Sequence, residues 1–225
     1  MPAPALLPAV VTETGPASDA SVIFMHGLGD DGNGWSQMVP ELALPPGLSV
    51  RFLFPHAPVM PVTINNGFRM RAWYDIRQAN LSERADLDGV RASRELVEAL
   101  IANERARGIA PGRIVLGGFS QGGAVALYTG LRYPERLAGL VALSTYLIAG
   151  EALADEASAA NRDVPIFMAH GTHDPVVQFA WAEQSRRVLE AQGRHVDWHT
   201  YPMEHSAVLE EIRAVGQFVA RVLAR

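Results

Sequence analysis

Short apolar runs alternate along this chain with longer stretches in which apolar residues recur every three or four positions. Residues 21–25 (SVIFM), 49–54, 114–116, 140–143 and 165–169 are compact apolar runs bounded by Gly, Pro, Asp or Ser, the pattern of strands buried on both faces. Residues 195–201 alternate apolar and polar side chains, which predicts an exposed or edge strand. Between these runs, 88–107 carries Val90, Leu96, Val97, Leu100 and Ile101 at helical spacing. Residues 122–132, 176–191 and 207–223 also read as helices. Strand and helix in alternation predict an α/β fold with a mainly parallel central sheet and helices on both faces.

Two stretches break the alternation. Residues 55–85 are rich in Pro, Gly, Arg and Asn and include Trp73 and Tyr74, while 145–163 is rich in Ala and Gly without a clear period. Both follow a strand, which puts them at the carboxyl edge of the sheet, where open α/β folds bind ligands. They are expected as loops, either walling a substrate cleft or running over the surface as ordinary connections.

A length of 225 residues fits one domain, 1–225, and 48% hydrophobic residues can fill its core. Every one of the 19 basic residues is Arg, which removes Schiff-base lysines, P-loop lysines and Ser-Lys dyads from consideration. There is no Cys, so neither a disulfide nor a thiolate nucleophile is available. A formal charge of -5 gives no electrostatic reason for a nucleic-acid partner or for binding anionic membranes. Residues 1–11 are apolar but interrupted by Pro2, Pro4 and Pro8, and the first basic residue is Arg51, unlike a signal peptide. No apolar run approaches the ~20 residues needed to span a bilayer. A soluble, cytoplasmic protein is expected.

The chemistry centres on Gly118-Phe119-Ser120-Gln121-Gly122, a G-x-S-x-G element between the apolar strand 113–116 and a small-residue helical run. That setting is a strand–turn–helix nucleophile elbow, whose sharp turn leaves no room for side chains two residues either side of the serine. Ser120 is therefore the predicted nucleophile rather than a helix cap. In such folds the triad follows the chain order Ser, Asp or Glu, His. His26 and His56 precede Ser120, His195 and His199 lie in the alternating strand, and His170 directly follows a strand. His173 adjoins Asp174 too closely to be oriented by it. His205, in a turn between the last strand and last helix, remains as the base. Asp174, just after a strand and before a helix, is the orienting carboxylate, chosen over Asp155, Asp163 and Asp197.

Two donors are needed for the oxyanion of a tetrahedral intermediate. The backbone N–H of Gln121 is one, and the Leu28 N–H in the Gly-rich turn His26-Gly27-Leu28-Gly29-Asp30 is the second. The sequence His170-Gly171-Thr172-His173-Asp174 holds three potential metal ligands, but zinc pairs usually take i, i+4 positions on one helical face, and this stretch lies in a loop containing Gly and Pro. No metal and no organic cofactor is expected.

The segments 21–30 (SVIFMHGLGD), 52–58 (FLFPHAP), 61–76 (PVTINNGFRMRAWYDI), 117–127 (GGFSQGGAVAL), 170–177 (HGTHDPVV) and 201–212 (YPMEHSAVLEEI) span nearly the whole chain. Together they resemble the bacterial carboxylesterase branch of the α/β-hydrolase family that also contains acyl-protein thioesterases and lysophospholipases. The resemblance implies an α/β-hydrolase fold, the triad Ser120, Asp174 and His205, and the oxyanion donors Leu28 and Gln121. It also implies that 61–76 borders an acyl pocket. Trp73 is then either a substrate contact or a core anchor of its segment, and Met70 joins it as a candidate substrate contact. Arg69 and Arg71 are either partners for an anionic head group or solvated. Because family members are often dimers, a homodimer is a candidate assembly, although no interface can be read from the residues.

The expected activity is serine carboxylesterase hydrolysis of short- to medium-chain carboxylic esters through an acyl-enzyme, with a small-molecule ester as the partner. A thioesterase or lysophospholipase with the same triad is the alternative within enzymes. A non-catalytic relative that binds a ligand or partner is the alternative outside them, and fold alone does not separate the two.

Overall fold

In the computed structural model, which describes residues 6–78 and 85–224, a central sheet of seven strands carries the chain. Its strands are β1 (Ala9–Glu13), β2 (Ala20–Met25), β3 (Val50–Pro55), β6 (Ile114–Phe119), β7 (Gly139–Leu143), β8 (Ile166–Gly171) and β9 (Val196–Tyr201). Two further strands, β4 (Val59–Val62) and β5 (Phe68–Arg71), form a separate antiparallel hairpin. The order across the sheet is β1-β3-β2-β6-β7-β8-β9. All pairs are parallel except β1 with β3, so the expected mainly parallel sheet is present, with an antiparallel strand added at one edge. That edge strand was not expected: Pro residues precede it, and it gains order by pairing with residues about forty positions away.

Alternate residues of the central strands feed two cores, as the period of two in a strand requires. Ile23, Met25, Leu116, Leu140 and Met168 face one side, while Val22, Phe24, Val115, Val141 and Phe167 face the other. Helices cover both. On the first side lie α2 (Leu87–Ala106), α3 (Gln121–Arg132) and α5 (Phe179–Ala191); on the second lie the short α1 (Gly32–Ser36) and α6 (Leu209–Leu223). A four-residue helix, α4 (Leu153–Glu156), lies in the 145–163 stretch. All residues of α3 are buried, which matches its run of Ala, Val, Leu and Gly. No helix among the described residues is long and apolar enough to cross a membrane.

The two irregular stretches are more ordered than expected. Residues 55–85 contain the β4–β5 hairpin, with residues 79–84 outside the described residues, and 145–163 contains α4 and a 3-10 turn at 159–161. The hairpin was illegible because its strands are four residues each, Val59 and Phe68 are exposed, and Val62 alone of the strand residues is fully buried, so too few positions record the inward face. A cleft of about 610 Å³ is lined by Ala85, Leu87, residues 146–151 and Ser185 and Val188 of α5, so both irregular stretches contribute to its walls.

One buried ionisable group stands out from this packing. Glu211, in the first turn of α6, is fully buried and neither carboxylate oxygen has a hydrogen-bond partner among the described residues. Burial pushes its carboxyl up to about 8; the Val208 N–H opposes the shift, but from outside hydrogen-bonding geometry. A folded-state pKa above the unfolded value means that stability falls as pH rises from about 4.5 towards 8. Glu211→Gln removes this contribution. The variant is expected to gain a few kcal/mol over the parent at pH 8.5 but not at pH 4.5. Thermal unfolding across that range checks it, and parallel Tm curves for the two proteins would count against it.

Candidate active site

β2 and β6 are neighbours at the point where the strand order reverses, with Met25 opposite Gly118. The turns that leave their carboxyl ends therefore meet, as ligand-binding turns do in open α/β sheets. After β6 the chain bends sharply at Ser120, whose φ of 53° and ψ of -119° lie outside the regions that side chains favour. The turn is held by Ser120 N–H to Leu143 O at 2.8 Å and by the Thr145 hydroxyl, which donates to Ser120 O at 2.6 Å. A Cβ at Gly118 would lie 2.4 Å from the Gly122 carbonyl carbon, and one at Gly122 would lie 2.2 Å from Met25 O. Both glycines are thus required by close backbone approach.

Two other loops deliver the remaining polar groups. Asp174 follows β8 and is buried; its Oδ1 accepts the Val176 and Val177 N–H groups at 2.8 and 2.9 Å. Its Oδ2 accepts from His205 Nδ1 at 2.7 Å, and His205 Nε2 lies 3.0 Å from Ser120 Oγ. Because a carboxylate only accepts, the imidazole carries its proton on Nδ1 and presents a bare Nε2 to the serine hydroxyl. The loop bearing His205 is tied to the Asp174 loop by Thr172 N–H to Tyr201 O and His173 N–H to Met203 O. Phe119 packs its ring 4.7 Å from that of His205. Burial pushes the Asp174 carboxyl up, but hydrogen bonds from His170, His205 and the Val177 N–H outweigh it and hold the group well below the usual carboxylate range. The carboxylate is therefore ionised wherever the fold is working.

The other polar residues of the sequence reading go elsewhere. Asp197 pairs with His199 at 2.8 Å and with Arg221 at 2.6 Å, and the His199 ring stacks on Phe167. His170 donates from Nε2 to Val177 O at 2.8 Å, with Asp174 Oδ2 3.4 Å away. Both oxygens of Asp174 are occupied by protein donors. Among the described residues, no group of three or more His, Asp or Glu is clustered to hold a metal ion.

The Gly27 turn lies against the serine, since a Cβ there would be 3.4 Å from Ser120 Cβ and 3.2 Å from the Phe119 ring. No hydrogen bond among the described residues uses the N–H of Leu28 or of Gln121. Gln121 does more than its backbone suggested: its Oε1 accepts the Trp73 N–H at 2.8 Å and its Nε2 donates to Tyr74 O at 2.7 Å. The sequence offered no sign of this clamp, because it joins positions 47 and 48 residues apart.

Trp73 is 2% exposed, donates from its indole to His26 O at 2.9 Å and belongs to the core. Of the two readings open for it, this placement is that of an anchor. Met70 is half-buried, with its sulfur 3.6 Å from where a Gly29 Cβ would stand. Trp73→Ala is therefore expected to lower Tm, by about 3–5 kcal/mol of stability, and to reduce kcat/KM alike for all acyl lengths. Met70→Ala should instead change the ratio of kcat/KM between short and longer acyl chains. Steady-state kinetics on an ester series, with a melt for each variant, checks both; a changed ratio in Trp73→Ala alone would reverse the assignments.

A model of the phospholipase/carboxylesterase family matches residues 7–223, nearly the whole chain. The chain belongs to the phospholipase/carboxylesterase family. Like the family at large, this phospholipase/carboxylesterase relative is a serine hydrolase of the esterase or thioesterase kind. It is 40% identical to acyl-protein thioesterase 1 of Gibberella zeae over 98% of this chain and 96% of that one. It is 42% identical to acyl-protein thioesterase 1 of Neurospora crassa over 99% of this chain and 92% of that one. Among solved structures it resembles acyl-protein thioesterase 2 of Zea mays, with a TM-score of 0.81 and 31% identity over 95% of this chain and 99% of that one. The SOBER1 protein of Arabidopsis thaliana superimposes with a TM-score of 0.85 at 29% identity, over 91% and 99% of the two chains. These findings confirm the α/β-hydrolase fold and the family. They do not bear out the expected bacterial branch, because the relatives at 40–42% identity are fungal.

Proposed function

We propose that the protein hydrolyses short- to medium-chain carboxylic esters through an acyl-enzyme formed on Ser120. The continuous chain from Asp174 Oδ2 to His205 Nδ1 (2.7 Å) and from His205 Nε2 to Ser120 Oγ (3.0 Å) carries this reading. His205 takes the proton from Ser120 as the hydroxyl attacks the ester carbonyl, and Asp174 steadies the imidazolium. The tetrahedral oxyanion is met by the N–H groups of Leu28 and Gln121, a reading supported by their having no hydrogen-bond partner among the described residues. His205 then protonates the leaving alcohol, and the same imidazole activates the water that releases the acid. Water and the protein's own side chains and backbone supply every proton and nucleophile of the cycle, and the imidazole returns to its starting form.

A second reading, thioester hydrolysis, is favoured by the names of the relatives at 40–42% identity. The same attack and deacylation serve both, and the difference lies in the leaving group: an alkoxide needs the proton from His205 more than a thiolate does. The deciding experiment compares kcat/KM on matched oxygen and thioesters across acyl lengths. Preference for oxygen esters of short to medium length supports the first reading. Preference for long-chain thioesters supports the second, and hydrolysis of neither would leave ligand binding as the function of this fold.

A further inference from the structure

The first histidine of the chain order, His26, has no place in the triad, yet it is fully buried and committed at both ring nitrogens. The Ala57 N–H donates to its Nε2 at 3.0 Å, so that nitrogen is bare and the ring proton is on Nδ1. Nδ1 then donates to Gly27 O at 2.7 Å. Burial pushes the pKa of this imidazole down, which agrees with a neutral ring that must accept at one nitrogen and donate at the other.

The carbonyl that His26 holds belongs to the same peptide unit as the Leu28 N–H. That unit is planar and trans, so its C=O and N–H point in opposite directions. Fixing Gly27 O on the His26 side fixes the Leu28 N–H on the other. The Asp30 N–H, 3.3 Å from the same oxygen, closes the turn, and the Gly29 N–H donates to Arg71 O at 2.8 Å. His26 is itself tied to its surroundings, since its carbonyl accepts the Trp73 indole N–H. A free peptide in a Gly-rich turn can rotate by half a turn at small cost; this one is gripped.

We propose that His26 is a positioning residue: its ring, clamped between the Gly27 carbonyl and the Ala57 N–H, aims the Leu28 N–H at the oxyanion that forms on Ser120. This inference rests on the reading of Leu28 as an oxyanion donor. His26 touches neither substrate nor the reacting atoms, and it acts by removing the alternative orientation of one peptide before the reaction begins.

The test pairs His26→Leu, which keeps bulk and loses both ring nitrogens, with His26→Asn, whose amide nitrogen can take the place of Nδ1. His26→Leu is expected to lower kcat about 10- to 100-fold with little change in KM. It should weaken an alkyl trifluoromethyl ketone, whose adduct with Ser120 carries an oxyanion, by the same factor, and leave binding of the matching alcohol unchanged. His26→Asn should recover most of both losses. In the parent protein, nitrogen NMR should show His26 protonated on Nδ1 and bare on Nε2, a measurement that needs no variant to fold. The opposite tautomer, an unchanged kcat in His26→Leu, or an asparagine variant no better than the leucine one overturns the proposal. A third protein separates it from the reading beneath it: the α-hydroxy analogue of leucine at position 28 replaces the N–H by oxygen. If that change is harmless, the oxyanion reading and this proposal fall together. If it is costly while His26→Leu is not, only the role of His26 falls.

Discussion

Ser120→Ala is expected to reduce ester hydrolysis to the level of a residual activity while the protein stays folded. Among the described residues, Ser120 is the one serine whose hydroxyl meets the Nε2 of His205, and its strained backbone presents that hydroxyl. Loss of the nucleophile leaves the backbone donors and the binding site, which by themselves retain roughly 10³–10⁴ of catalysis over water in enzymes of this type. The bonds that hold the turn run through Ser120 N–H and O, not through its side chain, so they persist in the variant. A fluorophosphonate probe should accordingly label the parent once, at Ser120, and the alanine variant not at all, with Tm nearly unchanged. Labelling of a different serine, or full activity in the variant, would remove the central element of the mechanism.

Asp174→Asn should cost nearly as much, about 10⁴ in kcat, and the hydrogen bonds say why. Asp174 Oδ1 accepts two backbone N–H groups, which the oxygen of an asparagine can retain. The amide nitrogen would then face His205 Nδ1, where Oδ2 now accepts. Two donors cannot share that contact, so the imidazole must move its proton to Nε2. A protonated Nε2 donates to the serine oxygen instead of accepting from it, and attack loses its base. Asp197→Asn serves as the comparison, because Asp197 pairs with His199 and Arg221 in a partly exposed position away from the serine. Its effect on kcat should stay within a few-fold, as for other surface ion pairs. If the Asp197 change proves the damaging one, the carboxylate assignment is wrong even though the nucleophile stands.

These expectations draw unequally on sequence and on tertiary structure. The elements that bury whole faces were legible: α2 is read from Val90, Val97, Leu100 and Ile101, and observed at Leu87–Ala106. The same holds for β6 and the elbow, because Gly118, Ser120 and Gly122 state a steric requirement that operates over five residues. Chain order and loop placement pointed to His205 and Asp174, and the fold sets the His205 ring between Asp174 and Ser120 at hydrogen-bonding distance from each. Short strands that bury few residues were not legible. β1 and the β4–β5 hairpin owe their order to hydrogen-bond pairing, and neither Val59 nor Phe68 reports burial.

Side-chain roles set by distant partners were hidden for a related reason. Trp73 could be an anchor or a substrate contact until the His26 carbonyl was found beneath its indole. The ring of His26 had no assigned purpose until β3 brought the Ala57 N–H to it from 31 residues away. Periodicity records whether a position meets water, because that is a property of its own face of the helix or strand. Which donor meets which acceptor depends on strand order, and only the closed sheet, with β2 set beside both β3 and β6, decides it.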